Sequence, residues 1–564
     1  IQDRLLLQGQ FSAQYHQSGK WQCEISNDQS EAVSAPKVRL SIEPYKITSS
    51  IPEFKLSAKA ESQIIDAAYM LKVPAVQIAS TAESIQIPQL TLEGTAQISN
   101  GAARASGVTF DLRAPNTGLK LEGTDIKISD LSISGKLNRR DDRLITLDGL
   151  LQISGAGGIF SNLNISFSSA RAKIPFKWPL VEKSAQGRVS IANLKYNSMN
   201  LGSLISFIRQ SPAGFVFEGR HQSTLLPRMI LAFTGESRLF RAGSAKTSIH
   251  FDLQRPGGAA NIELGKLFPA AAGVRLNGKL QLSGDIALSS GGFSGRVKAD
   301  FANGNLLLGK NKLALEGLRM SLSLPELPKL RSAPRQQIYF NKISLGDIVA
   351  QKGRIDFQIE SASSLLIEKM HFIWCEGNVE SQAMRISPGI EDYRLTFHCD
   401  RLSLAKVLEQ FGAAAASGRG SVNGRIPLQY THGKIRFEDG FLFSTPGEGG
   451  KIHLTGTDIL TAGIPPNTNQ YVQMELAREA LKDYDYSWAK LNINSEGEEL
   501  LLQMQMDGKP ARTLPFVYRK DIGGFMKVEA DAKGSKFQGI RLDVNFRLPL
   551  DKLMQYKELI EMIK

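Results

Sequence analysis

The chain has 564 residues, of which 42% are hydrophobic and 22% charged, with a net charge of +13. That apolar content excludes a disordered chain, and three cysteines, an odd number, exclude a complete disulfide framework and leave the usual zinc signatures short of ligands. The positive charge favours anionic partners, but Lys and Arg are scattered among apolar residues with no basic block, the pattern of a solvated sheet face rather than of a nucleic-acid site.

Length alone suggests roughly three or four ordinary domains. No apolar run approaches the roughly 18 residues of a membrane span. The chain opens IQDRLLLQ, without Met. It is therefore expected to be the body of a longer protein whose N-terminus was removed.

Strand signals dominate from the start. Alternation of apolar and polar residues runs through LTLEGTAQIS (90–99), LKLEGTDIKIS (119–129) and DLSISGKL (130–137). A helix-like spacing follows in LGSLISFIRQ (201–210) and again in LGKLFPAAAG (264–273). Alternation resumes in KLQLSGDIAL (279–288) and GRIDFQIE (353–360), with a Pro-rich loop at 324–335 between them. LAKVLEQFGAAAA (404–416) predicts a helix with Leu404, Val407, Leu408 and Phe411 on one face. Strands are predicted again in KIRFEDGFLF (434–443) and RLDVNFRL (541–548), around a helix over roughly 472–484. The chain closes on an amphipathic helix over 550–564 with Asp551 as its N-cap.

Helix, alanines, glycine, then a strand opening Asn-Gly-basic recurs at 264–282 and 404–429, with a looser copy at 201–219. Repetition of this kind suggests one sheet built by addition. At about 12 residues per strand and turn the chain makes on the order of 40 strands. A one-layer sheet of that length must curl, fold on itself or hold something apolar. The expected fold is mainly β: a long, twisted, antiparallel-rich sheet curled into an elongated apolar groove, with a few short helices. Its stretches are an N-terminal portion over 1–200, a middle portion with short helices over 201–400 and a C-terminal region over 401–564.

Candidate chemistry is sparse. Gly418, Gly420 and Gly424 resemble a phosphate-binding loop, but a helix precedes them and a strand follows, the reverse of what phosphate capture at a helix N-terminus requires. Two Walker-like matches, at 273–280 and 304–311, lack the Ser or Thr that binds magnesium. The seven histidines show no ligand spacing, and His398 and Cys399, adjacent in a strand, point to opposite faces. Cys23, Cys375 and Cys399 each sit in a strand-like run, and the last two could pair if their strands are neighbours. No catalytic residue, metal or cofactor is assigned, and an enzyme is not expected. What stands out is the apolar face of the C-terminal third. Its candidates are Ile426 and Leu428, Ile435 and Phe437, Phe441 and Phe443, Ile452 and Leu454, Leu491 and Ile493, Leu500 and Leu502, then Leu542, Val544, Phe546 and Leu548. The common fate of such a face is a sandwich core; its length, its repetition and the scarcity of covering helices favour an open apolar trough.

The stretch SGRGSVNGRIPLQYTHGKIRFEDGFLFSTPGEGGKIHLTGTD (417–458) resembles the C-terminal signature of the YdbH family, with Pro427, Gly440, Pro446 and Gly450 in step. The helix before it and YDYSWAKLNINSEGEELLLQMQMDGKP (484–510) also resemble the family, so the likeness covers roughly the last 170 residues. Upstream there is a general AsmA-like strand texture. The family's domain carries the label "dicarboxylate transport", which no residue here supports. The resemblance implies a bridge-type protein of the Gram-negative periplasm, anchored in the inner membrane, whose β-groove carries phospholipid toward the outer membrane. It also implies a small outer-membrane lipoprotein partner (YnbE-like), docked by strand addition at an open sheet edge. The competing expectation is a TamB-like assembly or scaffold role in outer-membrane protein biogenesis.

Overall fold

In the computed structural model the described residues are 10–550 apart from 16–20, 28–37, 43, 62–63, 82, 100–103, 140–144, 162–163, 182–183, 198, 225, 227–228, 240–244, 255–259, 264–273, 290–291, 309–312, 362, 388–391, 432–433, 456–460, 462, 467 and 530–532. They form 37 strands and two helices, and the strands pair antiparallel. The expected helix over 264–273 and all but the first residue of that over 550–564 lie outside the described residues. The chain divides into two compact units, residues 1–257 with 283–294, and residues 258–282 with 295–564.

The first unit is built by successive hairpins. Ile64–Ala79 pairs with Ser84–Ser99 in register from Ile64↔Ser99 to Ala79↔Ser84. Because side chains alternate between faces, the pairs Leu71↔Leu92 and Val73↔Leu90 fall on one face and Asp66↔Gln97 and Lys72↔Thr91 on the other. The same apolar row runs on through Leu112 to Ile133, Leu151 and Ile174. It reappears as Phe233 opposite Phe251 and Ile249 opposite Ile286.

One helix expectation is overturned here. Residues 201–210 lie within the strand Met199–Ser211, paired with Gly187–Tyr196 on one side and Gly214–Ser223 on the other. Leu204 and Ile208 follow the apolar row, while Ile205 and Phe207 are exposed on the far face. Apolar residues on both faces mimic helical spacing, and pairing on both edges outweighs propensity.

In the second unit a closed core forms. Leu442, Ile452, Leu454, Leu491, Ile493, Leu500 and Leu502 have at most 1% of their surface exposed. They come from strands Gly440–Ser444, Gly450–Thr455, Tyr484–Glu496 and Glu499–Pro510. Two helices add to the layer. Helix α1 (Leu404–Gln410) starts at Ser403, whose hydroxyl accepts from the Lys406 N–H, and buries Leu404, Val407 and Leu408. It is shorter than the predicted 404–416. Gly412, at φ +71°, ends it in the left-handed conformation, and Ala415–Arg419 then pairs with Gly450–Thr455. Strand pairing overrides the helix propensity of the alanines. Helix α2 (Asn469–Leu481) starts at Thr468 and matches the helix expected over 472–484, shifted toward the N-terminus.

Three predicted strands are interrupted. Glu122–Gly123 turns 119–129 into two strands, and Glu438–Asp439 splits 434–443 into Lys434–Phe437 and Gly440–Ser444. Cys375 sits in the turn between Ser364–Trp374 and Gly377–Ser381, at φ +48°, rather than in a strand.

Candidate apolar cavity

The hairpin series of the second unit surrounds a cavity of about 350 Å³ whose lining side chains are apolar. Phe340, Ile343 and Leu345 come from the strand Gln336–Leu345, and Ile348, Ala350 and Ile355 from its partner Ile348–Ser361. Met370, Phe372 and Trp374 stand at the alternating positions of Ser364–Trp374. Val379, Phe397 and Cys399 continue the wall across the paired strands Gly377–Ser381 and Asp392–Ser403. Ile426, Leu428 and Phe437 close it from Ser421–Thr431 and Lys434–Phe437.

Helix α1 sets one boundary. Phe411, immediately after it, packs edge-on against Trp374 with ring centroids 5.6 Å apart. Gln410 fixes that contact: the Trp374 indole N–H donates to its Oε1 at 2.6 Å, and the Val349 N–H donates to the same oxygen at 3.1 Å. The Gln410 amide in turn donates to the Val349 carbonyl at 3.4 Å. The one polar group of the indole is thus satisfied, and its rings remain for the cavity. Phe372 and Phe397 form a second edge-on pair, 5.7 Å between centroids.

Electrostatics agree with a dry site. Cys375 and Cys399 are buried free thiols. Burial pushes the Cys399 thiol up to about 12, and it pushes Cys375 up as well, helped by the neighbouring Cys399. Among the described residues no cluster of three His, Cys, Asp or Glu side chains could hold a metal ion. In the first unit, exposed His250 lies between Asp285 and Asp252, at 2.8 and 3.1 Å, and hydrogen bonds to these carboxylates, which accept from the protonated ring, raise its pKa.

Of the residues singled out in the C-terminal third, Ile426, Leu428 and Phe437 line the cavity. Ile435, Ile452, Leu454, Leu491, Ile493, Leu500, Leu502, Leu542, Val544 and Phe546 pack in the closed core, with Leu548 against its edge. Phe441 and Phe443 are on the other face: they pair with Arg425 and Asn423, while Leu442 between them is fully buried. The two-residue break at Glu438–Asp439, with Asp439 at φ +53°, reverses the alternation, so the inward positions change from odd to even. Phe441 stacks on Phe443 and takes the Arg425 guanidinium over its ring at 5.3 Å. Sequence reasoning missed the lining from 340 to 411. The signal was present as alternating MHFIW (370–374) and the Phe397–Cys399 pair of one face. The Gly418–Gly424 stretch is a close-packing device, since Gly420 lies against Tyr486 where any side chain would collide.

A family model described as YdbH-like, intermembrane phospholipid transport protein YdbH, matches residues 5–511. No curated protein matches the chain. Among solved structures, the crystal structure of BauA, the ferric preacinetobactin receptor from Acinetobacter baumannii, aligns at 7% identity over 95% of this chain and 79% of that one. Its TM-score is 0.10, a likeness that carries no argument.

Proposed function

The chain belongs to the YdbH-like family of intermembrane phospholipid transport proteins, and from that premise we propose that the apolar sheet face of the first unit and the aromatic cavity of the second are each surfaces for phospholipid acyl chains. The cavity carries this reading. It is open, apolar, and within the range of about 300–1,000 Å³ typical of small-molecule sites. Exposing hydrocarbon to water costs about 0.8 kcal/mol per CH₂, so a 16-carbon chain crossing bare water would face roughly 12 kcal/mol. An apolar surface along the way removes most of that barrier. Scattered Lys and Arg on the polar face suit anionic headgroups that stay wet.

The working place follows as the periplasm, with an inner-membrane anchor preceding the sequence and a small lipoprotein at the outer membrane. That lipoprotein would add a strand to a sheet edge. Ile540–Pro549, whose partner among the described residues is Glu499–Pro510, offers one. A photo-crosslinker at exposed Asn545 should capture the lipoprotein; failure to capture it removes this edge.

The acyl reading is tested by mass spectrometry of lipids extracted from protein purified without detergent. Phospholipid should co-purify, and Ile343→Asp, at a half-exposed position of the cavity wall, should abolish it while leaving the protein folded. Lipid-free wild-type protein, or lipid unaffected by Ile343→Asp, would sink the proposal.

A further inference from the structure

Along the apolar face of the first unit, aromatic residues stand directly opposite glycines of the neighbouring strand. Tyr69 faces Gly94, Phe176 faces Gly149, and Phe217 and Phe233 face Gly235 and Gly219. Each ring lies down over its glycine. A Cβ built at Gly149 would meet three atoms of the Phe176 ring, at 2.5, 2.8 and 3.0 Å, and one at Gly235 would meet Phe217 at 2.5 Å. Side chains of a strand ordinarily stand off the sheet. Here the missing side chain lets the ring fold onto the backbone. Phe340 lies over Gly353 in the same way, and Phe340 lines the cavity of the second unit.

Rings covering cross-strand glycines are a known way to stabilise a weak strand position. Stability alone would be served as well by an ordinary apolar pair, such as the Leu71↔Leu92 pair two residues away. What the aromatic–glycine pair adds is low relief: a broad apolar surface without a protruding side chain. We propose that these laid-down rings are the floor on which acyl chains rest, and that the glycine opposite each ring sets the clearance above it. The inference rests on the acyl reading above and names the residues that determine how bulky a hydrocarbon can pass.

Gly149 gives the sharpest test, because the nearest atoms to an added methyl all belong to the Phe176 ring rather than to backbone. Its φ lies outside the left-handed region, so alanine fits the strand. In Gly149→Ala the ring must swing up into the space above the face. Full-length protein is mixed with phosphatidylethanolamine–phosphatidylglycerol vesicles containing a phospholipid with a diazirine in its acyl chain, then photolysed, and labelled peptides are mapped. Wild type should be labelled on the apolar face, Gly149→Ala several-fold less at an unchanged melting temperature, and Gly149→Ala with Phe176→Ala as wild type. Labelling unchanged by Gly149→Ala overturns the floor and leaves the acyl reading standing. A first unit never labelled in wild type overturns both. If Gly149→Ala melts early, Phe176→Leu, which leaves the glycine bare, decides: labelling kept or raised supports the floor, and labelling lost overturns it.

Discussion

The two units use one sequence pattern and meet different fates. In the first, the well-buried apolar residues are small: Ala58, Ala60, Ala114, Ala156 and Ala170, joined by Val76 and Met229. Large side chains such as Ile64, Ile159 and Ile205 keep more than a third of their surface, and the Leu and Ile of the apolar row are half-buried. In the second, Leu and Ile at the same kind of alternating position lose all or nearly all of it. The difference lies in what comes over the face. The second unit supplies α1, α2 and a small hairpin, Phe516–Arg519 with Gly524–Lys527. Among the described residues the first unit supplies no helix. An antiparallel sheet with one uncovered apolar face is a surface for something apolar to lie on.

The comparison breaks most visibly under charge. Ile493→Asp places a carboxylate in a site with no exposure and no partner. Its cost should be on the order of 4 kcal/mol, enough to remove cooperative unfolding of the second unit. Leu92→Asp, on the half-open face of the first, should cost about 1–2 kcal/mol, because water can reach the charge. Thermal melts and limited proteolysis of the two variants check this. Equal losses would mean that the first unit's face is covered after all. Next in size is Gln410→Ala. It strands the Trp374 indole N–H and the Val349 amide, and should cost about 1–3 kcal/mol. Indole fluorescence should shift as Trp374 loosens beside the cavity, and an unshifted spectrum would show that Gln410 does not hold the ring.

Thiols report the same contrast without changing stability. Cys375 and Cys399 are buried and held in the thiol form by that burial, whereas Cys23 is partly exposed in the first unit. A maleimide at pH 8 should label Cys23 first and the other two only in denaturant. Peptide mapping decides it, and early labelling of Cys399 would mean that the cavity wall opens.

Much of this was legible beforehand because alternation is a direct imprint of a strand's two faces. The β class, the apolar row, and the burial of Leu404, Val407 and Leu408 on one face of α1 all follow from spacing. Three things were not legible, each for a physical reason. Residues 201–210 carry apolar side chains on both faces, which spacing alone cannot separate from a helix. The parity change at Glu438–Asp439 depends on one backbone angle, and it moved Phe441 and Phe443 to the far face. The cavity lining gathers residues from 340 to 437 that are neighbours through strand order, and strand order is not written in any one stretch. The same holds for the ring–glycine pairs, which need register to be seen.

The smallest expected effect is electrostatic. Glu360 accepts from Arg385 Nε at 2.7 Å and Nη2 at 3.0 Å, and from the Ser364 hydroxyl at 2.8 Å. The Arg385 hydrogen bonds, followed by that of Ser364, hold its carboxyl at about 2, against an ordinary glutamate near 4.3. A depressed pKa means that the folded state binds its proton later than the unfolded chain does. The pair's contribution is therefore complete above about pH 4.5 and is lost as pH falls through about 2. Both side chains lie at the surface, so solvent screening keeps the contribution small. Denaturant midpoints measured from pH 6 down to 2 should fall slightly less steeply in Glu360→Gln than in wild type. The pair ties the strand Ile348–Ser361, which carries Ile355 of the cavity wall, to Met384–Ile386. If the two acid slopes coincide, the clamp adds nothing to folding. The wall would then be held, like the closed core beside it, by apolar packing.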